Sequence, residues 1–235
     1  MVCRNGLALN PDKLQAVLFS TSQRAKGLSV ISATDAAGST VTLSSKIKLL
    51  GVMLDGNLNF NDQVNNVCRV SFFHIHALRH IRTSLTEEMA NIVACALVQS
   101  RVDYANSLYT GMSFVNFDKL QLVQNTLAYV VILTRKRDHI QPSLKSLHWL
   151  PIRQCIDFKV ALLAYSIREP QNLNSLLMDY KSTRSLRSAE GHLLVVPRTK
   201  LSFTSRASVL LHQNFGIICH YILETLRLCQ YLENC

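Results

Sequence analysis

Glycine and proline are sparse here, eight and five in 235 residues. No G-x-x-x-x-G-K stretch and no G-x-S-x-G turn occurs, which excludes a phosphate-cradling P-loop and an α/β-hydrolase nucleophile elbow. Acidic residues are also few. The fifteen carboxylates stand singly along the chain except for Glu87-Glu88, which sit in a helix first turn where acids favour the dipole. Nucleotidyl transfer by a pair of metal ions needs carboxylates that converge on ions ~4 Å apart, and this scatter offers no such set. Long hydrophobic runs are missing too: the longest, residues 127–133 and 92–98, fall far short of the ~20 residues that cross a bilayer. No apolar run follows Met1 that would act as a signal peptide, so the expectation is an intracellular protein of cytoplasm or nucleus, away from membranes. The seven cysteines form no C-x-x-C pair, which points to free thiols in a reducing compartment rather than disulfides or zinc.

What is present is positive charge and helical periodicity. Twenty-five Lys and Arg against fifteen acids give a formal charge of +10, an excess that favours a polyanionic partner, nucleic acid first. The chain opens with turn signals at Asn5-Gly6 and Asn10-Pro11-Asp12 and short strand-like runs at 7–9 and 16–19. Residues 21–45, rich in Ser, Thr, Ala and Gly, read as a loop with one weak strand at 28–32. Residues 47–54 read as a strand that ends in the Asp55-Gly56 turn. From residue 60 the period becomes helical: Val64, Val67, Cys68, Ser71, Ile75 and Leu78 share one face, and Arg69, His76, Arg79, His80 and Arg82 occupy the others. Ser84-Leu85-Thr86-Glu87 fits a capping box that opens a second helix. Asn116 or Asp118 starts a third with Leu120, Val123, Leu127, Val130 and Val131 as its core, and Pro151 starts a fourth over 151–168. The reading is an α+β chain: a small β-containing piece at 1–58, a mainly helical region at 59–178, and a basic arm and divergent tail at 179–235.

Among candidate sites, the basic faces stand out. Arg69, Arg79 and Arg82 on the first helix, with the cluster Arg135, Lys136 and Arg137, are candidates for contacts to nucleic-acid phosphates, which bind without reading sequence and weaken with salt. His74, His76 and His80 cluster on this helix, and His76 and His80, four apart, share a face as two metal ligands would. No third ligand follows from the sequence and arginines lie close by, so a basic surface stripe is the expectation and a metal site is not. Tyr104, His148 and Trp149 have stacking chemistry, but beside apolar helices such residues more often pack at a core edge.

Several ordered blocks resemble the downstream part of LINE-type (non-LTR) retrotransposon reverse transcriptases, in particular the Jockey and chicken-repeat branch. Asn5-Gly6-Leu7-Ala8-Leu9-Asn10-Pro11-Asp12-Lys13 with Val17-Leu18-Phe19 looks like the segment after the catalytic box. Leu50-Gly51-Val52-Met53-Leu54-Asp55 looks like the next block. Arg101-Val102-Asp103-Tyr104-Ala105-Asn106-Ser107-Leu108 is similar to the family's Asp-Tyr-Cys-Asn stretch, with Ala105 in place of the cysteine. Lys119-Leu120-Gln121-Leu122-Val123-Gln124-Asn125 and Arg137-Asp138-His139-Ile140 continue the match. Leu147-His148-Trp149-Leu150-Pro151-Ile152 with Ile156-Asp157-Phe158-Lys159 is its most specific part, and His192-Leu193-Leu194-Val195-Val196-Pro197-Arg198-Thr199 completes it.

The resemblance implies roles that composition does not. Residues 5–19 would be a palm edge, with Lys13 near an incoming nucleotide's phosphates. Residues 47–55 would be a hairpin gripping the primer end, and the helices beyond 62 a thumb that holds a template–primer duplex by its backbone. The family's paired aspartates, which hold Mg in the full-length enzyme, fall upstream of residue 1, so the expectation is a truncated RNA-directed DNA polymerase that is itself inactive, has no cofactor and keeps at most sequence-independent nucleic-acid binding. After Arg206-Ala207 the family continues to a Trp-Asn-x-Leu-Pro block; here Phe215-Gly216-Ile217-Ile218 follows instead, and a frameshift before residue 215 is the expected reason. The alternative of a different class is a helical protein-interaction module with no nucleic-acid role.

Overall fold

The structure is a computed structural model that describes residues 14–27, 33–36, 39–134 and 138–168. The chain is α+β, with small sheets first and mainly helices after them. It divides into two compact units, Met1–Gln63 and Val64–Cys235.

In the first unit, β1 (Ala16–Val17) runs parallel to β3 (Ser39–Ser44), and β3 pairs antiparallel with β2 (Ala33–Ala36). A short helix, α1 (Ser22–Gly27), follows β1. The expected loop over 21–45 therefore holds a helix and two strands, while residues 28–32, where a weak strand was expected, and 7–9 lie outside the described residues. The Ser/Thr-rich composition conceals a period of two. Val41 is buried between exposed Thr40 and Thr42, and β-branched threonine suits a strand as well as a loop.

The stretch 47–54 is likewise two strands rather than one. β4 (Lys46–Leu49) and β5 (Val52–Asp55) form an antiparallel hairpin with Leu49 opposite Val52. Its two turn residues, Leu50 and Gly51, have φ of 47° and 85°. Two successive left-handed residues match the twist of the strands, which is why Asn-Gly is the favoured pair for such turns. Leu50 has a β-carbon that this conformation crowds.

Beyond the hairpin the chain is held by polar staples. Gly56 N–H donates to Ser45 O at 3.2 Å, and its carbonyl accepts from Ser20 N–H at 2.9 Å. A β-carbon on Gly56 would lie 2.8 Å from Leu18 O, so only glycine fits this approach. The Asp55 carboxylate accepts from the backbone N–H of Asn59 (2.9 and 3.1 Å) and of Phe60 (3.0 Å). It thereby holds a turn in which Leu58 and Phe60 adopt φ of 52° and 59°. Burial of those two side chains, 3% and 1% exposed, offsets the strain. Met53 N–H donates to Gln63 Oε1 at 2.9 Å, and Lys46 pairs with Asp62 at 3.1 Å. Both contacts tie the hairpin to the first turn of α2 (Asn61–Ile81).

In the second unit the inward stripe of α2 is the one its spacing foretells: Val64, Val67, Ser71, Ile75 and Leu78 are all buried. The next helix begins later than expected. Ser84 lies in a 3-10 turn (Arg82–Ser84), and the cap is Thr86, whose hydroxyl accepts from Met89 N–H at 3.3 Å. From there α3 (Glu87–Ala94) runs through a π-turn (Cys95–Gln99) into α4 (Ser100–Asp103). The reason is in the sequence. Ala90, Ala94, Val98 and Val102 are buried at a strict spacing of four, which drifts by about 40° per step around a 3.6-residue helix. The wider π-turn takes up that drift and keeps the four in line.

The central helix is α5 (Phe114–Ile132), and its foreseen core residues Leu120, Val123, Leu127, Val130 and Val131 are all buried. A short helix that periodicity does not reveal, α6 (Ile140–Ser146), precedes α7 (Ile152–Arg168), which starts directly after Pro151 as expected. A polar clamp joins α5 to α7. Gln121 Oε1 accepts from Ile152 N–H at 3.0 Å, satisfying a first-turn donor of α7, and Gln124 Nε2 donates to Leu150 O at 2.9 Å. Gln121 Nε2 in turn donates to Gln124 Oε1 at 2.9 Å and to Asn125 Oδ1 at 2.8 Å.

The other staple is Arg82, only 6% exposed. Its Nε and Nη2 both donate to Val131 O, at 2.8 and 2.6 Å, and its Nη1 donates to Leu85 O at 2.7 Å. A cation on a last-turn carbonyl satisfies an orphan acceptor and complements the helix dipole. Among the described residues no carboxylate pairs with it.

Two stability outcomes follow, both read from urea midpoints. Arg82→Met removes the guanidinium donors to the buried Val131 carbonyl and the half-buried Leu85 carbonyl and lowers stability by about 2–4 kcal/mol. Leu50→Asn relieves the hairpin turn and stabilises by about 0.5–1 kcal/mol.

Candidate nucleic-acid interface

The outer face of α2 carries Arg69, Arg79, His76 and His80. At about 100° per residue, Asn65, Arg69, Phe72, Phe73, His76, Arg79 and His80 occupy one arc of the helix, and all seven are exposed. Arg69 and Arg79 are separated by about 15 Å along the axis, a span over which one strand of a duplex presents several phosphates. Phe73 is 71% exposed and packs edge-on against His74, ring centroids 5.4 Å apart. His76 and His80 meet with their Nε2 atoms 3.1 Å apart.

Two side chains arrange this face. Arg69 Nη2 donates to Asn66 Oδ1 at 3.1 Å. Lys119, 54 positions away on α5, donates to Asn65 Oδ1 at 2.8 Å. The basic surface thus includes Lys119, which sequence reasoning about sites passed over. No local spacing pairs residue 65 with residue 119; only the packing of α5 beside α2 does.

Arg82 requires a correction. Expected on the basic face with Arg69 and Arg79, it is buried and its guanidinium is taken up by two backbone carbonyls. It lies one residue beyond the end of α2, where the 3.6-residue period no longer assigns faces. Arg135, Lys136, Arg137 and Lys13 lie outside the described residues.

A polar nucleus that spacing alone does not reveal lies where α4 and the turn after it meet α7. Asp103 accepts from Gln99 Nε2 at 3.3 and 3.4 Å and from Asn106 Nδ2 at 3.5 Å. Ala105, in the position where the resemblance has a cysteine, takes φ 52° between them. Burial raises the Asp103 carboxyl above its usual range, against the hydrogen bond from Gln99 and the charge of Lys159. Asp157 is raised by burial as well, opposed by Arg153. Both donor groups turn toward Asp103, and the buried carbonyl oxygens Gln99 Oε1 and Asn106 Oδ1 accept no hydrogen bond among the described residues. Cys155 donates to Leu150 O at 3.1 Å, and burial followed by the charge of Asp103 pushes its thiol up to about 12. Burial raises the Cys95 and Cys68 thiols too. These three cysteines are free, and thiols held protonated are poor nucleophiles and poor metal ligands.

Tyr104 and His148 are exposed, and Trp149 is half-buried beside Cys95. Among the described residues, no three His, Cys, Asp or Glu side chains come together as a metal centre, and no helix is long and apolar enough to cross a membrane.

The raised Asp103 carboxyl sets the sign of a pH effect. The folded state holds its proton to higher pH than the unfolded chain, so stability is greatest below the ordinary 3.8 and falls as pH rises through the folded value. Replacing Asp103 with Asn removes this loss. Urea midpoints taken across the acid range should therefore show the wild type losing ground to Asp103→Asn as pH climbs from 3.8; parallel curves would contradict the burial argument.

No family profile, no curated protein and no solved structure matches this chain, so its site stands on the geometry alone.

Proposed function

We propose that this chain corresponds to the thumb side of a LINE-type reverse transcriptase and grips a template–primer duplex by its phosphate backbone, without polymerising. The observation that carries the reading is the single exposed face of α2, on which Arg69 and Arg79 stand free of any acidic partner among the described residues and Lys119 joins them from α5. Cations on a rigid helix face, within a chain of net charge +10, suit phosphates at fixed positions. Exposed Phe73 adds an aromatic surface on which an unpaired base could stack.

The blocks that resemble the family also support the reading. Gln121 and Gln124 of one block clamp the Leu150-Pro151-Ile152 turn of another. Asp103 of a third lies within electrostatic reach of Lys159. The Leu50-Gly51 turn has the hairpin shape that the resemblance implies for residues 47–55, and the primer-gripping role remains part of this proposal.

A protein-interaction module is the second reading. It is favoured by Met89, Ile92 and Leu97, which leave α3 and the π-turn with an exposed apolar face.

Salt separates the two. Binding of an RNA–DNA hybrid, followed by fluorescence anisotropy from low to moderate salt, should weaken linearly in log–log form. Replacing Arg69 and Arg79 together by alanine should flatten the slope by about 2 units, roughly one for each lost phosphate contact. Affinity that ignores salt, or a slope untouched by the double substitution, would overturn the nucleic-acid reading.

A further inference from the structure

We infer that His76 and His80 form a two-histidine site for a borderline divalent transition-metal ion of the zinc, nickel or copper type. Residues four apart on a helix stack one above the other, and here the stacking brings the two coordinating atoms together: Nε2 to Nε2 is 3.1 Å, with ring centroids 4.6 Å apart and planes at 85°. At metal–nitrogen bonds of about 2.0–2.1 Å, two ligands of a tetrahedral ion lie about 3.3–3.4 Å apart. Adjacent ligands of a square-planar ion lie about 2.9 Å apart. The observed separation falls between the two, so a small ring rotation serves either geometry.

Without a metal, the two nitrogens can share only one proton, one ring donating and the other accepting. An ion in that position engages both lone pairs at once. Both histidines are exposed, so the ion enters from solvent and the helix needs no rearrangement.

Sequence spacing argued against this site because arginines crowd it and a third ligand is missing. Part of that objection no longer stands, since the Arg82 guanidinium is committed to the Val131 and Leu85 carbonyls. Arg69 and Arg79 remain on the face and weaken the site by repulsion. No third His, Cys, Asp or Glu joins the pair among the described residues, so water completes the coordination sphere and leaves positions open. Nitrogen donors without carboxylates exclude magnesium and calcium, which take oxygen ligands. The inference does not rest on the nucleic-acid reading, because the salt experiment uses Arg69 and Arg79 and leaves both histidines in place.

The test is calorimetric titration of the full chain, stripped with a chelator, with nickel chloride. The wild type should show a saturable site. His76→Ala and His80→Ala should each weaken it at least about ten-fold, and the double variant should lose no more than either single one, because one missing ring already destroys the chelate. His139→Ala, at an exposed histidine elsewhere, should match the wild type. Nickel should raise the thermal midpoint of the wild type and leave that of His80→Ala in place, while magnesium moves neither. No saturable binding up to about 1 mM nickel, or undiminished affinity in His76→Ala and His80→Ala, would overturn the assignment.

Discussion

The helical unit is organised around one buried cation. Arg82 places its guanidinium where the end of α2, the turn at Leu85 and the last turn of α5 converge, and it donates to a backbone carbonyl of each of the latter two. A charge removed from water is tolerated only when its hydrogen-bonding groups are filled and an opposing dipole lies close. The C-terminus of α5 supplies that dipole. The inward stripe of α2 is buried and its outer arc is turned to solvent.

The exposed arc of α2 depends on that arrangement. Arg69, Arg79, His76 and His80 are exposed because Val64, Ser71, Ile75 and Leu78 are not. Lys119 belongs to the same surface because α5 packs alongside. At the other side of α5, Gln121 and Gln124 fasten the turn before α7, and the π-turn brings Gln99 to Asp103. The unit thus keeps several polar side chains at helix junctions, where backbone groups need partners, and Arg69 and Arg79 on the outer arc of α2.

Much of the helical region was legible in advance, because amphipathic periodicity reports directly on burial. The stripes of α2 and α5 and the start of α7 after Pro151 all fell where the spacing put them. Elements without that signal were misread. Threonines at 40 and 42 hid a strand, a two-residue turn at Leu50-Gly51 hid a hairpin, and α6 is too short to show a period. The capping box at Ser84 was a plausible local pattern, but Ser84 is held in the turn that carries Arg82, and Thr86 takes the cap.

By itself the sequence determined the α+β class, the positive charge, and the burial of apolar residues at helical spacing, since each depends on composition or on neighbours within one turn. Only the tertiary structure decided which cations serve the surface. Arg69 and Arg79 stayed outside, Arg82 was drawn in, and Lys119 was added from 54 positions away. The physical reason is that a side chain's partners are set by the helix packed against it. No periodicity along a single chain specifies which carbonyl, amide or imidazole that helix will bring.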